Sequence, residues 1–428
     1  MRWTGGAVFG GLPRGFWWLW SSTLVNRLGT FVYPFLTLYL TLDRGFSATA
    51  AGLVVSCFGL GSVAGSLVGG ELSDRLGRRA TMAGSYVVTA AVTAALAVTP
   101  QVAAMAVLTF LFGAGSSAPR PALSAMIADL VGPEDRQRAF SLNYWAVNIG
   151  FGLSSVMAGF LVRADFVWIF VGDAATTLVC GLMAWLLLPE TRPAANDAVP
   201  APTAGPAAAR GLTVALRDGR LLALTAVSFA LWLLFHQGVT TLPVAMEAQG
   251  LSTRTYGLVI GLNGLVVVLL QIPLSRGLRG RRPGPLLAGA AVLFGAGFGV
   301  TALAGSAATV YGLGVVIWTV GEMVFAPTSA AAVADLSPSH LRGRYQGVFG
   351  FGTAAASCVA PIAGGIVLDR AGGSVLWAGC AAVGLLAACA FLVLRLGSGP
   401  GTPGNGQARP EADAERPRAA GRRGTART

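Results

Sequence analysis

Charged side chains are sparse along this chain and gather in short turns between long apolar runs. The runs recur at about 18–25 residues, long enough to cross the ~30 Å hydrocarbon core of a bilayer as helices. Read this way, the pattern predicts twelve spans, at roughly 17–40, 48–72, 80–98, 102–126, 139–162, 166–188, 221–245, 254–275, 285–304, 308–332, 345–368 and 374–396. Between the sixth and seventh stands PETRPAANDAVPAPTAGPAAARG (189–211), rich in Pro and Ala and without an apolar period, which reads as a flexible linker. Beyond Gly397 the tail is rich in Gly, Pro and Arg, a composition with too little apolar surface to fold. The expected organisation is a six-span half (1–188), a cytoplasmic linker (189–220), a second six-span half (221–396) and a disordered basic tail (397–428).

Composition and charge narrow this. The chain is 54% hydrophobic and only 11% charged, against roughly 25% charged for soluble proteins. Its fold class is therefore an all-α polytopic membrane protein. Every basic residue is Arg and none is Lys, which excludes a Walker A phosphate-binding lysine and a pyridoxal Schiff base. A net charge of +12 can signal nucleic-acid binding in soluble proteins. Here the Arg residues sit between spans, so topology and anionic lipid at the cytoplasmic face explain them, and no nucleic acid is expected.

With both termini inside, 24 Arg fall in inner segments and four (Arg44, Arg163, Arg254 and Arg370) in outer loops. This bias predicts a multi-pass protein of the cytoplasmic membrane with both termini cytoplasmic. Arg2 and Arg14 precede a first run with no small-residue cleavage site, so that run reads as a retained span. The five Cys lie inside apolar spans without a C-x-x-C pair, and only His236 and His340 are present. No metal set, cofactor or catalytic constellation is expected from them.

The two halves repeat. ADLVGPEDRQR (128–138) aligns with ADLSPSHLRGR (334–344) at an offset of 206, which also carries Pro121 onto Pro327 and Ala158-Gly159 onto Gly364-Gly365. The turn GGELSDRLGRR (69–79) has a degenerate echo in PLSRGLRGRR (273–282). Two six-span units of the same topology make a parallel repeat, with a substrate site expected where they meet near the bilayer midplane.

The spacing Gly70-x-x-x-Asp74-Arg75-x-Gly77-Arg78-Arg79, between spans two and three, matches the signature loop of the major facilitator superfamily. The chain resembles that family over all twelve spans. NRLGTFVYPFLTLYL (26–40) and GEMVFAPTSAAAVADL (321–336) add a likeness to its twelve-span drug:proton antiporter branch, the multidrug efflux proteins. There are departures. Span five reads Gly150-F-G-L-Ser154-Ser155-V-M-Ala158-Gly159, without the Pro of the antiporter signature, and a Pro version stands in span eleven as Ala360-Pro361-I-A-Gly364-Gly365. The span-four motif R-x-x-Q-G is absent; Arg120 there lies in Pro119-Arg120-Pro121. The resemblance implies two pseudo-symmetric six-helix bundles. It also implies that Asp74 caps span eleven near Tyr345, and that Arg78 or Arg79 reaches Asp129, as a latch of the outward-facing state.

An ionisable residue inside a span costs about 2.5–3.5 kcal/mol at the helix centre and marks a functional position by default. Glu322, near the middle of span ten, is the first candidate for a titrating group. Asp173 in span six and Arg27 in span one are candidates for a second proton site and a gate or substrate contact, or for a structural pair with each other. Asn26 adds a hydrogen-bonding side chain beside Arg27. Arg120 reads either as a coupling residue or as a charge that snorkels inward. His236 and Gln237 in span seven are candidates for lining a substrate path, and Trp145, Trp232 and Trp318 for cavity aromatics.

The expected function is secondary transport by alternating access: proton-coupled export of a small amphipathic or hydrophobic compound, by a monomer. The alternative is import of a small nutrient such as a sugar or peptide. A sensor would need a soluble folded module and an enzyme a clustered nucleophile or base, and neither pattern is present.

Overall fold

A computed structural model describes residues 10–132, 135–191, 213–278, 281–338 and 341–394. Of the linker, read as flexible over 189–211 within a segment 189–220, residues 192–212 lie outside these, as does the tail 397–428, while 213–217 are helical. The described chain is helical throughout. Its elements are α1 (Arg14–Leu28), α2 (Val32–Leu38), α3 (Ala48–Leu76), α4 (Arg78–Val98), α5 (Val102–Ser117), α6 (Pro119–Leu130), α7 (Arg136–Leu161) and α8 (Val167–Leu187) in the first half. The second half holds α9 (Gly219–Thr240), α10 (Leu242–Ala248), α11 (Thr253–Gly277), α12 (Pro283–Thr301), α13 (Ala308–Leu336) and α14 (Arg342–Val393).

Ten helical stretches of the described chain are long and apolar enough to cross a membrane, α5 and α6 counting together as one. The difference from twelve arises in two places. The first span is split into α1 and α2. A proline ring collides with the carbonyl four residues earlier, so Pro34 cannot continue a helix through Thr30, and α1 stops before it. At the other end α14 runs for 52 residues, about 78 Å at helical rise and far more than one crossing. Gly372 breaks it with φ 79° and ψ 172°, a conformation open only to glycine. Before the break, Cys358 and Gly365 face Gly59 and Ala48 of α3. After it, Trp377 stacks on Phe298 and Phe391 meets Phe325. The chain therefore turns back on itself at Gly372.

The same proline rule splits spans four and seven. Pro119 and Pro121 start α6 after the break at Ala118, and Pro243 starts α10 after Thr241. In corresponding positions of the two halves, spans one and seven are both interrupted, the pattern that marks transporter binding sites.

Two long helix pairs join the halves, α3 with α14 and α7 with α11. Glycines allow this approach: a Cβ on Gly152, Gly257 or Gly264 would press on backbone of the facing helix. The Gly61, Gly65 and Gly69 face of α3 packs instead on α5, within the first half.

Candidate functional site

A cavity of about 870 Å³ lies between the halves, walled by spans one to seven and span eleven. Its lining extends to Ser66, Ser116, Arg120, Gln346 and Gly350. These lie on the turns that lead to the face carrying residues 75–79, so the cavity opens to that face. The opposite face is shut. There α2 packs against α9 and α10. Tyr33 Oη lies 3.4 Å from His236 Nδ1. The Phe35 ring meets Tyr256 edge-on at 5.3 Å. Asp369 at the end of span eleven accepts the Ala48 and Thr49 N–H groups at 3.1 and 2.8 Å, which caps the N-terminus of α3 across the halves. Burial acts to raise the Asp369 pKa, but the hydrogen bonds from Thr49, Ala48 and Ser47 outweigh it and hold the carboxyl below its ordinary range.

Of the predicted residues, Asn26, Arg27, Arg120, Asp173, Trp232 and His236 all line this cavity. The expected Arg27–Asp173 ion pair is not formed. Asp173 Oδ2 accepts the N–H groups of Phe31 and Val32 at 3.2 and 3.1 Å, and Thr177 Oγ1 lies 3.3 Å from Oδ1. The cause is the break at Pro34: the first N–H groups of α2 have no partner within a helix, and a helix N-terminus attracts negative charge. The carboxylate closes the break, and Arg27 is left facing the cavity. Its stem lies against Gly150 of α7, where a side chain would collide with the Arg27 Cβ. Arg120 enters from the first turn of α6 and is exposed to the cavity.

The remaining candidates sit elsewhere. Glu322 is not among the cavity-lining residues; its Oε2 accepts Asn263 Nδ2 of α11 at 2.9 Å, and the same amide reaches Thr319. Gln237 is buried, donates to the Ala360 carbonyl at 2.9 Å and accepts from Thr241, so it ties α9 to α14. Trp318 is a core residue and not a cavity aromatic: it is 1% exposed and stacked parallel to Phe298 at 6.2 Å. Trp145 is half-buried and outside the lining.

In the 69–79 turn, Arg78 Nε meets Asp129 Oδ2 at 3.3 Å; the expected contact is formed, but it lies within the first half and persists with this face open, so it is not a latch of the outward-facing state. Arg75 pairs with Glu71, and Arg79 lies 4.7 Å over the Trp185 ring. Gly77 joins α3 to α4 at φ 97°, outside the range of other residues. Asp74 is exposed and contacts neither Tyr345 nor another partner among the described residues. Tyr345 instead donates to Asp218, the N-cap of α9, at 2.9 Å. The mouth is open here, and that separates Asp74 from span eleven.

Sequence reasoning passed over three groups. Glu190 caps α4 through the Arg78 and Arg79 N–H groups at 2.9 and 3.1 Å. Asp369 and Asn263 act across the chain as described. Each is a lone polar residue at a span end or within an apolar run, and no local pattern names its partner.

A family model described as Major Facilitator Superfamily matches residues 19–361. Among curated relatives, the MFS-type transporter YttB of Bacillus subtilis is 27% identical over 368 residues, 84% of this chain and 90% of that protein. Multidrug resistance protein MdtH of Aeromonas hydrophila is 24% identical, covering 83% of this chain and 88% of its own. Among solved structures, a POT family transporter in complex with 5-aminolevulinic acid superposes with a TM-score of 0.75 at 17% identity, covering 90% of this chain and 96% of that one. The nucleoside transporter NupG gives 0.75 at 15% identity, over 88% and 100%. At these identities the solved structures establish likeness of fold.

Proposed function

The chain belongs to the major facilitator superfamily, and from that premise we propose that it exports a small amphipathic or hydrophobic compound in exchange for protons. The observation that carries this reading is one central cavity, open at one face and closed at the other, with walls from both halves. That is the geometry alternating access needs. With the Arg bias placing the 75–79 turn in the cytoplasm, the state is inward-facing and ready to load from inside. The curated MdtH relatives are multidrug resistance proteins, which favours export.

Glu322 is the proton-carrying group in this reading. It stands apart from the cavity, against Asn263. Proton and substrate then act on each other through the movement of the halves, each favouring a different facing state, because a ligand with equal affinity for both states shifts nothing. The test is efflux of a dye panel from reconstituted vesicles under an imposed pH gradient. Transport is expected to follow the gradient in the native protein and to lose that dependence in Glu322→Gln. Gradient-driven efflux unchanged by this substitution would remove Glu322 from the mechanism; efflux indifferent to any gradient would remove proton coupling.

A further inference from the structure

The cavity charge is unbalanced. Arg27 and Arg120 both face it, and neither guanidinium makes an ion pair or hydrogen bond with another described residue. Their charges repel one another. The one acid in the lining, Asp173, is already committed to two backbone N–H groups and a threonine. Glu322, the other acid within the spans, is turned to Asn263. Two guanidinium groups within a membrane-spanning fold, without a counter-charge, are costly. A guanidinium fork is shaped to hold a carboxylate or similar acid through paired hydrogen bonds.

Around these charges the wall is aromatic. Tyr33, Phe58, Phe112, Trp232 and Phe235 line the same cavity, with Tyr33 on Phe58 at 4.5 Å and Trp232 on Phe235 at 5.5 Å between ring centres. Such a site takes a flat apolar body with an acidic group at one end. From this arrangement we infer that the transported compounds are amphipathic organic anions, their acid group received by Arg27 and Arg120 and their apolar body by the aromatic wall. This rests on the transport reading above and narrows its substrate class.

The test uses the full chain in nanodiscs, without any gradient, and three matched probes: 1-naphthylacetate, 1-naphthylacetamide and 1-(2-aminoethyl)naphthalene. Binding is read by calorimetry. The acetate is expected to bind about tenfold to a hundredfold more tightly than the amide or the amine, the effect of hydrogen bonds to a charged group. Arg27→Gln and Arg120→Gln should each remove most of that preference while moving the amide affinity far less, and Arg120→Lys should restore part of it. Equal binding of acetate and amine, no binding of any probe to the limit of solubility, or a preference that survives both Gln substitutions would overturn the anion site. Vesicle flux separates this from the wider reading. Acetate preference without gradient-driven flux would overturn proton-coupled export and leave the anion site standing. Gradient-driven flux of the amine without acetate preference would do the reverse.

Discussion

The two sides of the cavity come from repeats of one plan, yet its charges stand on one side only. The first half contributes Arg27, Arg120 and Asp173; at the offset of 206 the second half has Leu233, Ala326 and Gly379. In return the second half contributes Trp232, His236 and, away from the cavity, Glu322, where the first has Asn26, Thr30 and Ser116. What the halves share is of another kind. Asp129 and Asp335, and Arg136 and Arg342, keep their places in both. In the first half these residues hold helix ends together: Asp129 meets Arg78, and Arg136 donates to the Ala128 carbonyl at the end of α6. The repeated residues are thus architectural, and the unrepeated ones carry the recognition chemistry: the cavity charges stand in the first half alone, while its aromatic rings come from both, Tyr33, Phe58 and Phe112 from one and Trp232 and Phe235 from the other.

The contrast can be broken most severely at Asp173. Replacing it with Leu leaves the buried Val32 N–H bare at the break in span one, at roughly 1–3 kcal/mol, and takes one of two acceptors from the Phe31 N–H, which keeps the Gly29 carbonyl; the unfolding temperature in detergent should fall. Asp173→Asn keeps an accepting oxygen and should lose little; equal losses in both variants would mean that the acid serves something other than the cap. Gly379, its counterpart, needs no such partner.

On the aromatic wall, Trp232→Ala should weaken all three naphthalene probes alike, by about tenfold at most. A loss confined to the acetate would show that the charged and aromatic groups do not divide the work. The smallest effect concerns the acids that cap helices between the halves. Asp369 has a lowered pKa, so its contribution to the closed face is present above the ordinary Asp range and fades as pH falls through the lowered value. A cysteine placed at Thr49 should become more reactive to an impermeant thiol reagent at strongly acid pH, and Asp369→Ala should make it so at neutral pH. Asp74 at the other face is unpartnered in this state, so Asp74→Asn should leave probe binding alone and slow turnover. Turnover at the native rate would refute its part in a latch.

Much of the fold was legible. Apolar runs separated by Arg-rich turns mark the spans, because backbone in lipid must bond to itself as helix. The breaks coincide with Pro34, Pro119, Pro121 and Pro243, but Pro273, Pro327 and Pro361 lie inside continuous helices, so proline alone does not name a break. The scarcity of charge picked out Arg27, Arg120 and Asp173. Their arrangement was not readable. Asp173 at mid-span can serve a guanidinium or a helix end equally well, and only the position of α2 beside α8 decides between them. Trp318 and Trp232 look alike in sequence, yet one is stacked in the core and the other lines the cavity.

The sequence by itself determined the membrane class, the two-fold repeat, the family loop and the short roster of charges that any mechanism must use. These follow from composition and spacing, which act locally and leave their mark on every span. The tertiary structure decided which charges are spent and which remain. It gave Asp173 to a helix end, Glu322 to an amide and Asp369 to the closed face, and left two arginines on an aromatic-walled cavity. A charge takes the partner that folding brings within hydrogen-bonding distance, and residues more than a hundred positions apart in the chain supply it.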